Sequence, residues 1–261
     1  MCTINVQEIP KYDCGISVST SSSLTSCSSP QDTKFRAESF ACCINTPNGI
    51  VLASDSREKI IHTYSDYRHI TKYNDDFQKI VHLPASNIIL ANCGQSRFGG
   101  VEFSKAMLQL DSKLSKLKNV NEIVNELNRF ITNSHCQNVG LIMAIKSKQD
   151  DKALIVKNLT WDKPANTYSF TEKDTPINLM SWSAPLTEDL VRTFYWQDSL
   201  TYKSNYLFDI SFMRLSDAVD FARHLVQLHI DYAKYRIDQK PIVGGAVQIA
   251  TMDLNGKVTI V

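Results

Sequence analysis

The residues with most capacity for chemistry gather where an apolar run ends in charge: Gly49-Ile50-Val51-Leu52-Ala53-Ser54-Asp55-Ser56-Arg57. A strand of that composition carries a carboxylate and a guanidinium to its end, where the two could brace the fold as an ion pair or serve a site. Lys79 opens the next apolar segment. A lysine at a strand start is ordinarily solvated, and only its order after Asp55 lifts it above that. The seven cysteines, Cys2, Cys14, Cys27, Cys42, Cys43, Cys93 and Cys136, are odd in number and lack paired CxxC spacing. Neither a disulfide scaffold nor a zinc ribbon is indicated, and reduced thiols in a cytoplasm are the simplest account. Cys42 and Cys43 fall inside an apolar run and read as core packing. The histidines are scattered, and His224 and His229 point to different sides of a helix, so no metal site and no cofactor are predicted.

The elements that must position these groups follow from periodicity. Residues 40–44 and 50–54 are apolar runs joined by Pro47-Asn48-Gly49, which predicts a hairpin buried on both faces. A polar segment, 56–77, leads to a second strand pair at 79–83 and 87–93. Two helices come next, because Phe103, Ala106, Met107, Leu110, Leu114 and Leu117 recur at helical spacing, as do Ile123, Leu127, Phe130 and Ile131. Asn119 with Glu122 reads as a capping box. Strands are predicted at 139–145, 153–159 and 167–170, then a helix at 187–196, an irregular stretch at 198–214 and a long helix through Ala218, Ala222, Leu225, Val226, His229 and Ala233. The chain closes on a hairpin at 246–252 and 258–261. Helices arriving in pairs between groups of strands argue for two stacked antiparallel sheets with helix layers outside, an α+β fold.

The chain has 261 residues with 28 basic against 27 acidic side chains, a net charge of +1. Charge this balanced offers no field to attract nucleic acid or an anionic membrane, so neither is predicted as a partner. No run approaches the roughly 18 apolar residues of a membrane span, and the N-terminus lacks a signal-like pattern. A cytoplasmic location is expected. Residues 1–36 include a Ser/Thr-rich run with too few apolar groups to offset the entropy of ordering it, so they read as a disordered leader ahead of one domain, 37–261.

The strand ending Asp55-Ser56-Arg57, together with Lys79-Ile80 and the strand that reaches Cys93-Gly94, resembles the proteasome β-subunit-like family of the N-terminal nucleophile (Ntn) hydrolase superfamily. That resemblance covers residues 39–261 and implies a four-layer αββα sandwich, two antiparallel sheets flanked by helix pairs. It also implies a nucleophile that is the first residue of the mature chain, with the free α-amine as its base. The family's spacing lands on Ser39, with Asp55 holding the lysine, Lys79 as the cation and the backbone N–H near Gly94 as oxyanion donor. The leader becomes a propeptide removed between Glu38 and Ser39. Glu38 stands where the family has glycine, the stretch from Asp55 to Lys79 is longer than usual, and Lys240 and Val243 occupy the places of the family's late Asp and Ser. Ser181 and Ser183 both fit the supporting serine.

The resemblance implies hydrolysis of peptide or protein substrates and assembly into homo-oligomeric rings, to which the apolar stretch Tyr202, Tyr206, Leu207, Phe208, Ile210 and Phe212 could contribute. Two other readings stay open. One is a noncatalytic relative acting in assembly or binding. The other is an acylase using Cys2 once Met1 is removed, since bile-salt hydrolase-type acylases begin in a similar way, although a polar segment follows Cys2 where a core strand should begin.

Overall fold

The computed structural model describes residues 32–37, 40–66, 68–136, 138–148, 154–162, 169–173, 177–181, 212–235 and 243–261. The first hairpin forms as its apolar runs require: β2 (Phe40–Thr46) and β3 (Gly49–Asp55) pair antiparallel from Thr46↔Gly49 to Ala41↔Ser54. Both strands are buried on both faces because alternate residues point to different cores. Phe40, Cys42 and Ile44 face the long helix α3 (Leu215–Tyr235) together with Val51, Ala53 and Ile249. Ala41, Cys43, Ile50 and Leu52 instead meet Ile89, Ala91, Cys93, Ile142 and Ala144 of a second sheet.

That second sheet is built on β6 (Ile80–Leu83), β7 (Ile88–Gln95) and β10 (Val139–Lys146). Its other face, with Leu83, Ile88, Leu90, Leu141 and Met143, packs against α1 (Phe103–Leu114) and α2 (Val120–Asn133). Helix α2 opens on the predicted cap, with Glu122 N–H donating to Asn119 Oδ1 at 2.9 Å, but the return bond to Glu122 Oε2 comes from Lys118 N–H, at 2.8 Å, one residue before the cap.

Six of the strands described here were not foreseen in the sequence, and three of them extend the larger sheet. The polar segment after Asp55 forms β4 (Glu58–Thr63) and β5 (His69–Asn74), and the supposed leader contributes β1 (Asp32–Ala37). Folded structure therefore begins at least at Asp32, not at residue 37. The remaining strands are β8 (Arg97–Phe98), β9 (Val101–Glu102), β11 (Leu154–Asp162), β12 (Ser169–Lys173), β13 (Ile177–Ser181), β14 (Val247–Asp253) and β15 (Val258–Ile260). The larger sheet runs β12-β11-β10-β7-β1-β4-β5, with β6 also on β7; the smaller runs β13-β2-β3-β14-β15.

The αββα sandwich of four layers with helix pairs on both outer faces is not what these residues form. Among the described residues sheet predominates, in antiparallel sheets of eight, five and two strands with three helices, and the layering is not that of a clear four-layer sandwich. Among the described residues α3 is alone on its face, and the helix expected at 187–196 lies outside them. The physical reason for the surplus of sheet lies in β1, β4 and β5. Their strands are set by ladder hydrogen bonds more than by apolar faces, and no residue of β4 or β5 joins any of the three hydrophobic clusters. No helix among the described residues is long and apolar enough to cross a membrane.

Candidate active site

Asp55 ends β3 with its carboxylate turned inward, fully buried beside an equally buried Lys79. The ammonium Nζ donates to both carboxylate oxygens, at 3.0 Å to Oδ1 and 2.9 Å to Oδ2. Three backbone N–H groups complete the shell: Phe40 N donates to Oδ1 at 3.3 Å, Arg57 N to Oδ2 at 3.2 Å and Gly244 N to Oδ2 at 3.1 Å. A buried ion pair persists only when its remaining lone pairs are satisfied in this way. The reading of Lys79 as a solvated strand-start lysine is thereby replaced by a fully buried, paired one.

A residue that sequence reasoning missed holds Lys79 in place. Gln248 on β14 accepts from Lys79 N at 2.8 Å and from Ile80 N at 3.1 Å, and its Nε2 donates to Phe77 O at 2.9 Å. The only signal was an amide inside an otherwise apolar strand, Val247-Gln248-Ile249-Ala250. Ser56 was missed as well: its hydroxyl accepts from Ala246 N at 2.7 Å and donates to Asp75 O.

Arg57 does not form a side-chain ion pair with Asp55. It turns to Asp75, at 2.5 Å through Nε and 2.7 Å through the second nitrogen, and lies over the Tyr73 ring with 5.0 Å to the centroid. The Arg57 guanidinium holds the Asp75 carboxyl below its usual range. Gly244 is required here by close approach: a Cβ would come within 2.4 Å of the Arg57 guanidinium carbon. Next to it Gly245, at φ +75°, has no room for a Cβ against Ser56 Oγ. The glycine pair therefore does more than turn the chain into β14; it lets a backbone N–H reach Asp55.

Gly94 lies near the end of β7 at φ +97°, where a Cβ would sit 1.9 Å from Asn138 O. It is flanked on both sides, by Val139 of β10 and by Ala37 of β1. Asn92 N–H donates to Lys79 O on one edge and Gln95 N–H to Asn138 O on the other. Strand alternation thus turns the Gly94 N–H toward the edge that β1 occupies. Lys79 sits on that same edge, between β6 and the end of β1.

Ser39 lies outside the described residues, as do Glu38, Cys2, Ser183 and Lys240. Ser181 ends β13 opposite Phe40. The thiols nearest the pair are poor nucleophiles: burial pushes Cys93 up to about 12 despite the opposing pull of the Lys79 ammonium, and Cys42 likewise to about 12. Cys43 is raised by burial too. Among the described residues no three of His, Cys, Asp and Glu come together to hold a metal ion. Comparison with protein-family models finds no match to the chain, and comparison with curated proteins finds none either.

Proposed function

We propose that the chain hydrolyses amide bonds in peptides through an N-terminal nucleophile, Ser39, exposed by cleavage of the Glu38–Ser39 bond. In the uncut chain Ser39 Oγ attacks the Glu38 carbonyl carbon, the C–N bond breaks with transfer of a proton to nitrogen, and water hydrolyses the resulting ester. A free Ser39 amine and a Glu38 carboxylate are left. In each turnover that amine takes the Oγ proton as Oγ attacks the substrate carbonyl. The Gly94 N–H meets the oxyanion, the amine product leaves with the proton, and water releases the acyl group. Lys79 favours the deprotonated nucleophile and the neutral amine by charge.

The observation that carries this reading is the bond from Phe40 N–H to Asp55 Oδ1 at 3.3 Å. The carbonyl carbon of Ser39 is joined to that same nitrogen by a bond of about 1.33 Å. The nitrogen that follows Ser39 in the chain therefore donates to the carboxylate that also holds Lys79 Nζ. Further support comes from β1, an extended segment ending one residue before Glu38 and laid between β7 and β4, as peptides bind by strand addition. The buried free thiols Cys42, Cys43, Cys93 and Cys136 suit a reducing cytoplasm.

One observation favours a second reading, a noncatalytic protein that binds or assembles through the same scaffold. The pairing of β1 with β4, from Asp32↔Thr63 to Arg36↔Lys59, makes the segment before Ser39 an integral strand. Intact-mass analysis of the purified protein separates the two. Hydrolysis requires a mature chain beginning at Ser39, loss of processing in Ser39→Ala and its retention in Ser39→Thr. Full-length protein alone, without cleavage of any peptide, supports the noncatalytic reading.

A further inference from the structure

We infer that Glu58 and Asn92 form an acceptor site that selects a basic side chain, lysine or arginine, near the C-terminal end of a peptide occupying the β1 slot. The inference takes its peptide from the hydrolase reading above, whereas the site itself stands on two unpartnered atoms. Glu58 and Asn92 are both wholly buried. Glu58 Oε1 accepts from Ser96 Oγ at 2.7 Å and has Arg97 Nε at 3.4 Å, but Oε2 has no hydrogen-bond partner. Asn92 Nδ2 donates to Gln95 O at 3.1 Å, and its Oδ1 also has none. Buried polar atoms are nearly always paired, so two unpaired acceptors tied to the consecutive residues Gln95 and Ser96 ask for a missing donor.

Their place in the fold names the donor's source. On one side of β1, Arg36 is opposite Gln95 and Ala37 opposite Gly94; on the other, Arg36 is opposite Lys59, one residue from Glu58. The two acceptors therefore bracket the last positions of a strand held in that slot. A ligand serving both must bring several donors and no lone pairs, which ammonium and guanidinium do and hydroxyls or carboxylates do not. Charge agrees with this, because Arg97 is shared between Glu58 and Glu102, the latter at 3.6 Å, and does not reach Oε2. The chain's own leader offers Glu38 before the bond, a side chain with acceptors only.

The test uses fluorogenic peptides carrying Lys, Arg, Leu or Glu before the scissile bond, with processing of the full chain and calorimetric titration with agmatine beside them. Lys and Arg peptides should be cleaved at least tenfold faster in kcat/KM than Leu peptides. Glu58→Gln should reduce that ratio below about twofold and Asn92→Ala should reduce it in part, with melting midpoints confirming folded variants. Glu38→Lys should quicken processing only where Glu58 is intact. Hydrolysis without a basic preference, or a preference unchanged in both variants, overturns the acceptor site and leaves the hydrolase standing. Absent hydrolysis, agmatine binding that is lost in Glu58→Gln upholds the acceptor site and removes the hydrolase. Neither hydrolysis nor agmatine binding overturns both.

Discussion

The larger sheet is two different materials joined along one edge of β7. On one side, β6, β7 and β10 are lined by Leu83, Ile88, Leu90, Leu141 and Met143 under two helices and by Ile89, Ala91 and Ile142 against the other sheet. On the other side, β4 and β5 place half-buried or exposed residues on both faces, apart from Glu58, and contribute nothing to a hydrophobic cluster. Asp55, Lys79 and Gly94 lie at the seam. The contrast teaches that the site's fixed groups belong to the packed half. The half beside them is held by ladder bonds and a few polar side-chain contacts, such as Arg57 over Tyr73 and Ser96 to Glu58, the kind of region that opens locally at low cost.

The strongest way to break the comparison is at the seam. Lys79→Met leaves the Asp55 carboxylate buried without its cation, and should cost about 3–5 kcal/mol in urea denaturation. The double variant with Asp55→Asn should recover a large part of that loss. A second experiment sets one half against the other. Leu90→Ala in the packed half should cost about 2–5 kcal/mol, while Ile61→Ala on half-exposed β4 should cost under about 1 kcal/mol. Hydrogen exchange should accordingly be faster in β4 and β5 than in β7 and β10. Equal costs and equal protection would erase the distinction between the halves.

Smaller effects sharpen the boundary. Gly244→Ala drives a methyl into a guanidinium that Asp75 and Tyr73 hold in place, and should cost about 1–3 kcal/mol. In the Arg57→Ala background the cost should shrink, a coupling that a double-mutant cycle measures. The smallest effect is electrostatic. The Asp75 carboxyl is held below its ordinary value by Arg57, so its contribution is present above the unfolded-state value near 4 and is lost as pH falls through the lowered one. With Asp75 about half exposed, the Asp75→Asn variant should lose at most about 1 kcal/mol at pH 7, and its acid denaturation profile should be flatter than that of the parent.

What the sequence made legible is the packed half. Phe40 to Ile44, Ile50 to Ser54 and Asn87 to Cys93 are apolar runs whose burial on both faces leaves little choice of structure. The segments that became β4 and β5 carry Lys59, His62, Thr63, His69 and Lys72 among few apolar residues, so periodicity had nothing to report. Their strand form comes from partners distant in sequence. β1 was hidden similarly, as the tail of a Ser/Thr-rich stretch. At the site, Asp55 and Lys79 were singled out through family resemblance and found together, whereas Gln248, Ser56 and Glu58 were not. A side chain that fixes a backbone N–H from another strand leaves no local trace.

The contact between Gly244 and Arg57 has a consequence for descent. Two positions far apart along the chain occupy one volume, and position 244 cannot gain a side chain while Asp75 keeps the arginine in place. Lineages that exchange the arginine for something shorter are free to acquire a side chain at 244, and those that retain it are not. The two codons should therefore drift as a linked couple.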